Sequence, residues 1–188
     1  SRGLGDVYKR QAQASLIDGL RRLEYRGYDS AGIAFHEGSK FSMARETGRV
    51  NNLAESVQKK CSPASLGIAH TRWATHGAVT VSNTHPHLSY DEKFVLVHNG
   101  VIENFGALKR FLSDKGIDFA SETDSEVLCN LIAFHYSELP EGENRFVDAV
   151  RQALPQCRGA YGIAVLCLDY PDTMIGARRG SPLVVGLG

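Results

Sequence analysis

The order in which apolar periodicity changes along the chain is the feature that most limits its fold. Some segments repeat apolar residues at helical spacing, whereas others form short apolar or alternating runs that are typical of strands. The predicted elements come in groups of like kind rather than in strict strand–helix alternation. This order favours a layered α+β fold over a doubly wound parallel sheet.

Most of the chain can be assigned to predicted elements. Helices are predicted at 12–24, 50–60, 104–115, 123–135 and 146–154, and strands at 31–35, 41–45, 66–70, 94–98, 160–168, 173–177 and 183–187. Thr123 and Glu126 have the spacing of a capping box, which predicts where the fourth helix begins. Residues 72–92 are polar, which predicts a long loop. Residues 1–11 show neither the strand period of 2 nor the helical period of 3.6 in their apolar residues.

Charge and apolar content exclude several classes of function. The 21 Lys and Arg residues balance 21 Asp and Glu residues, which argues against a nucleic-acid surface and a polybasic membrane face. No apolar run approaches the roughly 18 residues that span a bilayer. The first 30 residues contain no uninterrupted apolar stretch of a secretory signal. We therefore predict no nucleic-acid partner and no membrane segment.

Cysteine and histidine spacing predicts neither a disulfide framework nor a metal site. The chain has 4 cysteines, Cys61, Cys129, Cys157 and Cys167. They form no CxxC pair, so we expect buried apolar residues in a reducing, cytoplasmic compartment rather than zinc ligands or nucleophiles. Several histidines lie between 70 and 98, but they lack helical pair spacing and an accompanying carboxylate, so no metal is predicted.

Four polar segments stand at the predicted ends of elements, where binding groups usually lie. They are 24–30 (EYRGYDS), 70–77 (HTRWATHG), 98–100 (HNG) and 121–125 (SETDS). Each has an ordinary structural interpretation when taken alone. Arg72 can be a surface charge, Asp124 can favour a helix start, and Trp73 can be a core residue. Asn99-Gly100 is also a common turn dipeptide.

Taken together, these segments resemble the glutaminase (type 2 glutamine amidotransferase) domain of the glutamine–fructose-6-phosphate aminotransferase family, or glucosamine-6-phosphate synthases. The motifs are LEYRGYDSAG, HTRWATHG, HPH, VHNGVIEN, SETDSE, RGAYG and GSPLVVGLG, in the family's order. The resemblance covers about residues 12–188. It implies an N-terminal-nucleophile hydrolase fold, a four-layer αββα sandwich with two antiparallel sheets. The glutaminase half of a nucleotide-synthesis amidotransferase is the alternative within this architecture.

The resemblance also implies a reaction. The domain is expected to hydrolyse L-glutamine to glutamate and ammonia, with no cofactor or metal. In full-length members a sugar isomerase half uses that ammonia to make glucosamine 6-phosphate from fructose 6-phosphate, and we expect a cytoplasmic homodimer. Residues 12–188 match only the glutaminase half. A glutamine-binding module without catalysis is the alternative from another functional class.

Roles for individual residues follow from the same resemblance. Arg72 is expected to hold the α-carboxylate of glutamine, which suits a planar guanidinium, and Asp124 the α-ammonium. The side chain of Asn99 and the backbone N–H of Gly100 are expected to form the oxyanion hole. Trp73 is expected to gate the ammonia path, with Arg26 and Tyr28 near it. Further substrate contacts are expected from Thr75, His76, Gly77 and, more weakly, His85.

Position 1 departs from the family pattern. Family members begin Cys-Gly-Ile-Val-Gly, with the cysteine as nucleophile and its α-amine as base, whereas Ser1 and Arg2 stand here. We expect residues 1–11 to be a non-native start and the chain as written to be inactive. Two alternatives stay open: Ser1 is an N-terminal serine nucleophile, or the chain is a natural pseudo-enzyme.

Overall fold

The computed structural model describes residues 2–62, 64–73 and 78–186. The helices are α1 (Arg2–Leu23), α2 (Val50–Lys60), α3 (Phe105–Asp114), α4 (Asp124–Glu138) and α5 (Arg145–Ala153). The strands are β1 (Ser30–His36), β2 (Phe41–Thr47), β3 (Gly67–Arg72), β4 (His87–Leu88), β5 (Phe94–Ile102), β6 (Gly159–Cys167) and β7 (Met174–Arg179). Two short 3-10 turns, Glu24–Arg26 and Leu154–Gln156, follow α1 and α5.

The strands form two sheets in the described part of the chain. The first has the order β2-β1-β3 and the second the order β4-β5-β6-β7. Every strand pair is antiparallel. In the second sheet β5 and β6 pair along their whole lengths, from Phe94 opposite Cys167 to Ile102 opposite Gly159. This long pairing positions the end of β5 next to the functional site.

Three apolar clusters show how the layers stack. A middle cluster joins the two sheets and includes Ala34 of β1, Ile68 of β3 and Val95 of β5. An outer cluster packs α1 and α2 on the first sheet, and another packs α3, α4 and α5 on the second. The result is a four-layer αββα sandwich, which confirms the α+β fold that the resemblance implies.

The burial of β1 follows from this stacking. All seven of its residues are buried, because helices cover one face of the strand and the second sheet covers the other. The outer strand β7 instead alternates between half-buried and exposed residues. A strand covered on both faces carries a continuous apolar run, whereas an edge strand with one free face alternates.

The sequence-based prediction is wrong for two of the predicted strands. Strand β5 continues beyond 98 to Ile102, so Asn99 and Gly100 lie within a strand rather than in a turn. Pairing with β6 supplies backbone partners that override the turn preference of this dipeptide. Residues 183–186 do not form a strand, although Val184 is β-branched and such residues favour strands. The side chain of Val184 is 89% exposed. Pro182 has no N–H to donate to a ladder, and 187 lies outside the described residues.

The first helix also differs from its prediction. It begins at Arg2 rather than at 12, so residues without an apolar period are helical. Once a helix has formed, each added residue gains one backbone hydrogen bond, so a polar segment can extend it. Ile17 and Leu20, from the predicted apolar face, are buried against the first sheet. The helix ends at Leu23, and Gly27 ends the 3-10 turn that follows with a φ of 74°.

Candidate active site

A cavity of about 850 Å³ opens where the ends of both sheets meet the start of α4. The predicted site residues that line it are Arg26, Arg72, Trp73, His85, Asn99, Gly100 and Asp124. They come from distant parts of the sequence and are brought together by the sandwich. Ser1, Thr75, His76 and Gly77 lie outside the described residues, so their roles stay predictions.

Asp124 provides a negative charge at one side of the cavity. It is the first residue of α4, and its Oδ2 accepts a hydrogen bond of 2.7 Å from the backbone N–H of Ile102. Its side chain is 22% exposed, and Oδ2 lies 3.9 Å from Nδ1 of His98. A helix start favours a carboxylate electrostatically. A carboxylate fixed in this way is suited to bind a cationic ligand group.

Arg72 provides a positive charge in the same cavity. It is the last residue of β3, opposite Ser30 of β1, and only 8% of its surface is exposed. Its backbone carbonyl accepts the N–H of Asp29 at 2.9 Å, which fixes the strand end. A largely buried guanidinium that lines a cavity is suited to bind a carboxylate in a bidentate manner.

The backbone at Gly100 requires glycine. Its φ is 139°, which side chains rarely adopt, and a β-carbon there would stand 2.1 Å from the carbonyl oxygen of Ala160 on β6. The neighbouring Asn99 is exposed and lines the cavity, and Oγ of Ser181 donates to its carbonyl oxygen at 3.4 Å. Gly100 therefore lets β5 approach β6 closely beside an exposed amide side chain.

Four histidines, His70, His85, His87 and His98, pack together at the cavity, and all but His87 line it. The rings of His70 and His85 stack with centroids 4.3 Å apart, and His85 meets His87 edge-on at 4.7 Å. Nδ1 of His85 accepts the backbone N–H of His98 at 3.2 Å, so the proton of neutral His85 belongs on Nε2.

Burial favours the uncharged form of these histidines. Burial lowers the pKa of His70 to about 4 and that of His87 to about 3, and nearby positive charges add to both effects. Burial also lowers the pKa of His85 and of His98, although Asp124 opposes the effect at His98. In the described ranges, no group of three or more His, Cys, Asp or Glu side chains could hold a metal ion.

None of the cysteines resembles an activated nucleophile. All four are free, and only Cys61 is partly exposed, as predicted for small apolar residues. Burial raises the pKa of the Cys157 thiol to about 11 and that of Cys167 to about 12. Burial likewise raises the pKa of Cys129. A thiol with a raised pKa is a poor nucleophile at neutral pH.

Comparison with known proteins identifies the family. The sequence family described as a glutamine amidotransferase domain matches residues 57–139. Glutamine–fructose-6-phosphate aminotransferases from Acinetobacter baylyi and from Caldanaerobacter subterraneus are 47% and 44% identical over 98% of this chain. The chain belongs to the glutamine amidotransferase domain family. It spans about 29% of the length of these two relatives.

Solved structures share the fold of this glutamine amidotransferase domain. The allosteric regulatory enzyme of purine biosynthesis superposes with a TM-score of 0.71 at 26% identity, covering 88% of this chain and 34% of that one. The glutamine phosphoribosylpyrophosphate amidotransferase of B. subtilis gives a TM-score of 0.67 at 27% identity, covering 86% and 33%. None of the helices in the described segments is long and apolar enough to cross a membrane.

The amidotransferase domain presents its expected gate residues in two different ways. Trp73 is 65% exposed and packs over Gly27, and Arg26 lies on the adjacent turn with its Nε donating to Tyr25 Oη at 3.0 Å. Tyr28 is not among the lining residues. Its hydroxyl donates to Glu24 and accepts the backbone N–H of Val50 at 2.7 Å, which fastens the start of α2.

Sequence reasoning missed several residues that line the cavity. They are polar or apolar neighbours of the predicted ones, namely Asn83, Glu103, Phe105 and Glu122. Glu103 and Glu122 add negative charge near Asp124. Glu122 lies within the SETDS segment and Glu103 within the VHNGVIEN motif, and this position was the available signal for both residues.

Proposed function

We propose that this domain hydrolyses L-glutamine to glutamate and ammonia. The observation that carries the proposal is that a largely buried cation, Arg72, and the carboxylate of Asp124 line a single cavity with Asn99 and Gly100. An α-amino acid has one carboxylate and one ammonium, so such a cavity offers a counter-charge to each. The amide end of glutamine would then face the strand end that carries Asn99.

The chemistry required is acyl transfer from an amide to a nucleophile and then to water. The side-chain amide of Asn99 and the N–H of Gly100 are proposed to stabilise the oxyanion, and loss of one such donor typically costs about 10²–10³ in rate. Trp73 and Arg26 are proposed to gate the departure of ammonia. Substrate contacts by His85, Thr75, His76 and Gly77, and a gate role for Tyr28, also stay proposals.

Whether this chain catalyses glutamine hydrolysis depends on its nucleophile. Ser1 stands where the family has cysteine, and a serine hydroxyl is far less acidic than a thiol, so it depends more on its base. We propose that the chain as written binds glutamine but releases little ammonia. The glutaminase domain is proposed to comprise residues 12–188.

The wider role is proposed from the relatives. Their names describe transfer of an amino group to fructose 6-phosphate with isomerisation. We propose that a sugar isomerase half acts with this domain in amino sugar metabolism, in a cytoplasmic homodimer without nucleic-acid, membrane or cofactor dependence. The free cysteines agree with a reducing compartment.

A nucleotide-synthesis amidotransferase is the second candidate, because both solved relatives named above have this architecture. The higher identity to the sugar-phosphate enzymes favours the first candidate. Ammonia release from L-glutamine tests the reaction, in the chain as written and in a variant with Ser1→Cys, Arg2→Gly, Gly3→Ile and Leu4→Val. Release only by the variant supports the proposal. Absence of release from a folded variant favours a binding module without catalysis.

A further inference from the structure

A buried carboxylate lies behind the anionic side of the cavity. Glu126 of α4 is 5% exposed and does not line the cavity. One of its carboxylate oxygens accepts the backbone N–H of Ala120 at 2.7 Å. The other accepts the backbone N–H of Ser121 at 2.6 Å and its hydroxyl at 2.5 Å. Three donors converge on this single carboxylate.

These contacts shape the segment that leads into α4. The hydroxyl of Ser121 lies 3.0 Å from that of Thr123, and Thr123 Oγ1 accepts the backbone N–H of Glu126 at 3.2 Å. The segment is therefore closed into a compact turn around the Glu126 side chain. Asp124 follows directly, so the direction in which α4 begins sets the place of its carboxylate.

The same segment is hydrogen-bonded to a neighbouring part of the cavity wall. The backbone N–H of Glu122 donates to Asn83 Oδ1 at 3.1 Å. The hydroxyl of Thr123 lies 3.1 Å from Nε2 of His87. Movement of the turn would therefore disturb the wall that carries Asn83 as well as Asp124.

The charge of Glu126 matters as well as its shape. A neutral amide has one acceptor oxygen and would direct its NH₂ group at one of the N–H donors. A buried carboxylate also needs a compensating charge. Arg45 of β2 interacts electrostatically with this carboxylate, since Glu126 opposes the lowering of the Arg45 pKa that burial causes.

We propose that Glu126 is a positioning residue that places the Asp124 carboxylate to receive the α-ammonium group of the substrate. This inference rests on the proposed function. It assigns no substrate contact to Glu126. Loss of the turn should weaken recognition of the ammonium while leaving recognition of the other end of the ligand intact.

The experiment compares two ligands that differ by one group. L-glutamine and glutaramate, which is glutamine without its α-amino group, are titrated into the full chain by calorimetry at a temperature where each variant is folded. Glu126→Gln should weaken L-glutamine binding about tenfold, as expected when a binding group is misplaced. Binding of glutaramate should change less than about twofold, because it lacks the group that Asp124 binds.

Two further variants complete the test. Glu138→Gln changes the same residue type at the exposed end of α4 and should leave both affinities unchanged. Ser121→Ala removes only one of the three donors and should weaken L-glutamine about threefold, with glutaramate unchanged, which keeps the proposal testable if Glu126→Gln does not fold.

The outcomes separate this inference from the proposed function. Equal loss of both ligands, or no loss of L-glutamine, in the Glu126 and Ser121 variants overturns the positioning role while the glutaminase proposal stands. If the wild-type chain does not bind L-glutamine at all, both proposals fail together. Selective loss of L-glutamine supports both.

Discussion

The indole of Trp73 lies so close to the backbone of Gly27 that a β-carbon at position 27 would stand 2.2 Å from its Cζ3 atom. This contact joins the end of β3 to the turn that follows α1. Trp73 is the only tryptophan in the sequence and lines the cavity, so its fluorescence reports on the contact with Gly27 and on the cavity.

Replacement of Gly27 should therefore move the tryptophan. Gly27→Ala forces the indole away from the turn and should shift the emission of Trp73. Gly38→Ala is a matched control, because Gly38 also has a positive φ but a methyl group there would meet no atom within 4 Å. Both variants carry backbone strain of order 1–3 kcal/mol, but only the first should change the fluorescence spectrum. Identical spectra for the two variants would contradict the contact.

A methyl group at Gly100 should be poorly tolerated. Gly100→Ala combines a φ of 139° with a 2.1 Å approach to the Ala160 carbonyl, so β5 and β6 must separate. We expect a loss of at least about 2 kcal/mol in the free energy of unfolding, measured by urea titration.

Gly106→Ala is the control for that measurement. Gly106 lies in α3 with open space around a β-carbon, so alanine should gain about 0.5–1 kcal/mol. If Gly100→Ala proves as stable as the wild type, the close approach of β5 to β6 is wrong.

Several elements could be predicted because local signals and packing agree. Helix α2 matches its prediction at both ends, and Thr123 caps α4 as its spacing indicates. Other features depend on distant partners. Pairing with β6 sets the end of β5, and the Glu126 side chain reaches Ala120 and Ser121 rather than the backbone N–H of Thr123.

The candidate site was only partly visible in the sequence for the same reason. Arg72 and Asp124 were predicted as partners of one ligand because of the resemblance, and the sandwich places both on one cavity. Tyr28, which the resemblance implies near the gate, also has a hydroxyl that bonds to Glu24 and to the backbone N–H of Val50 at the start of α2. Such hydrogen bonds between remote segments leave no pattern in a single sequence.

Acidification should destabilise the domain before most carboxylates titrate. Burial lowers the folded-state pKa of His70 to about 4 and of His87 to about 3, below the unfolded value of about 6.5. Between these values the unfolded chain binds more protons, so stability is present above pH 6.5 and is lost as the pH falls. Urea unfolding from pH 6.5 to pH 5 should show this decline.

A single substitution isolates one histidine's share of the pH dependence. His87→Gln keeps a group that can hydrogen-bond to Thr123 but does not titrate. The slope of its unfolding free energy against pH should be smaller than that of the wild type by up to about 1.4 kcal/mol per pH unit. If the wild-type unfolding free energy stays constant from pH 6.5 to pH 5, the pKa values of the buried histidines are not lowered by folding.

The central claim is that opposite charges in one cavity bind the two ends of an α-amino acid. Calorimetric titration with L-glutamine, glutaramate and 4-aminobutanamide, which lacks the α-carboxylate, tests it in wild-type, Arg72→Ala and Asp124→Asn chains. Arg72→Ala should weaken L-glutamine by about 10- to 100-fold but spare 4-aminobutanamide, and Asp124→Asn should weaken L-glutamine but spare glutaramate. Equal losses for all three ligands in each variant, or no binding of L-glutamine by the wild type, would contradict the claim.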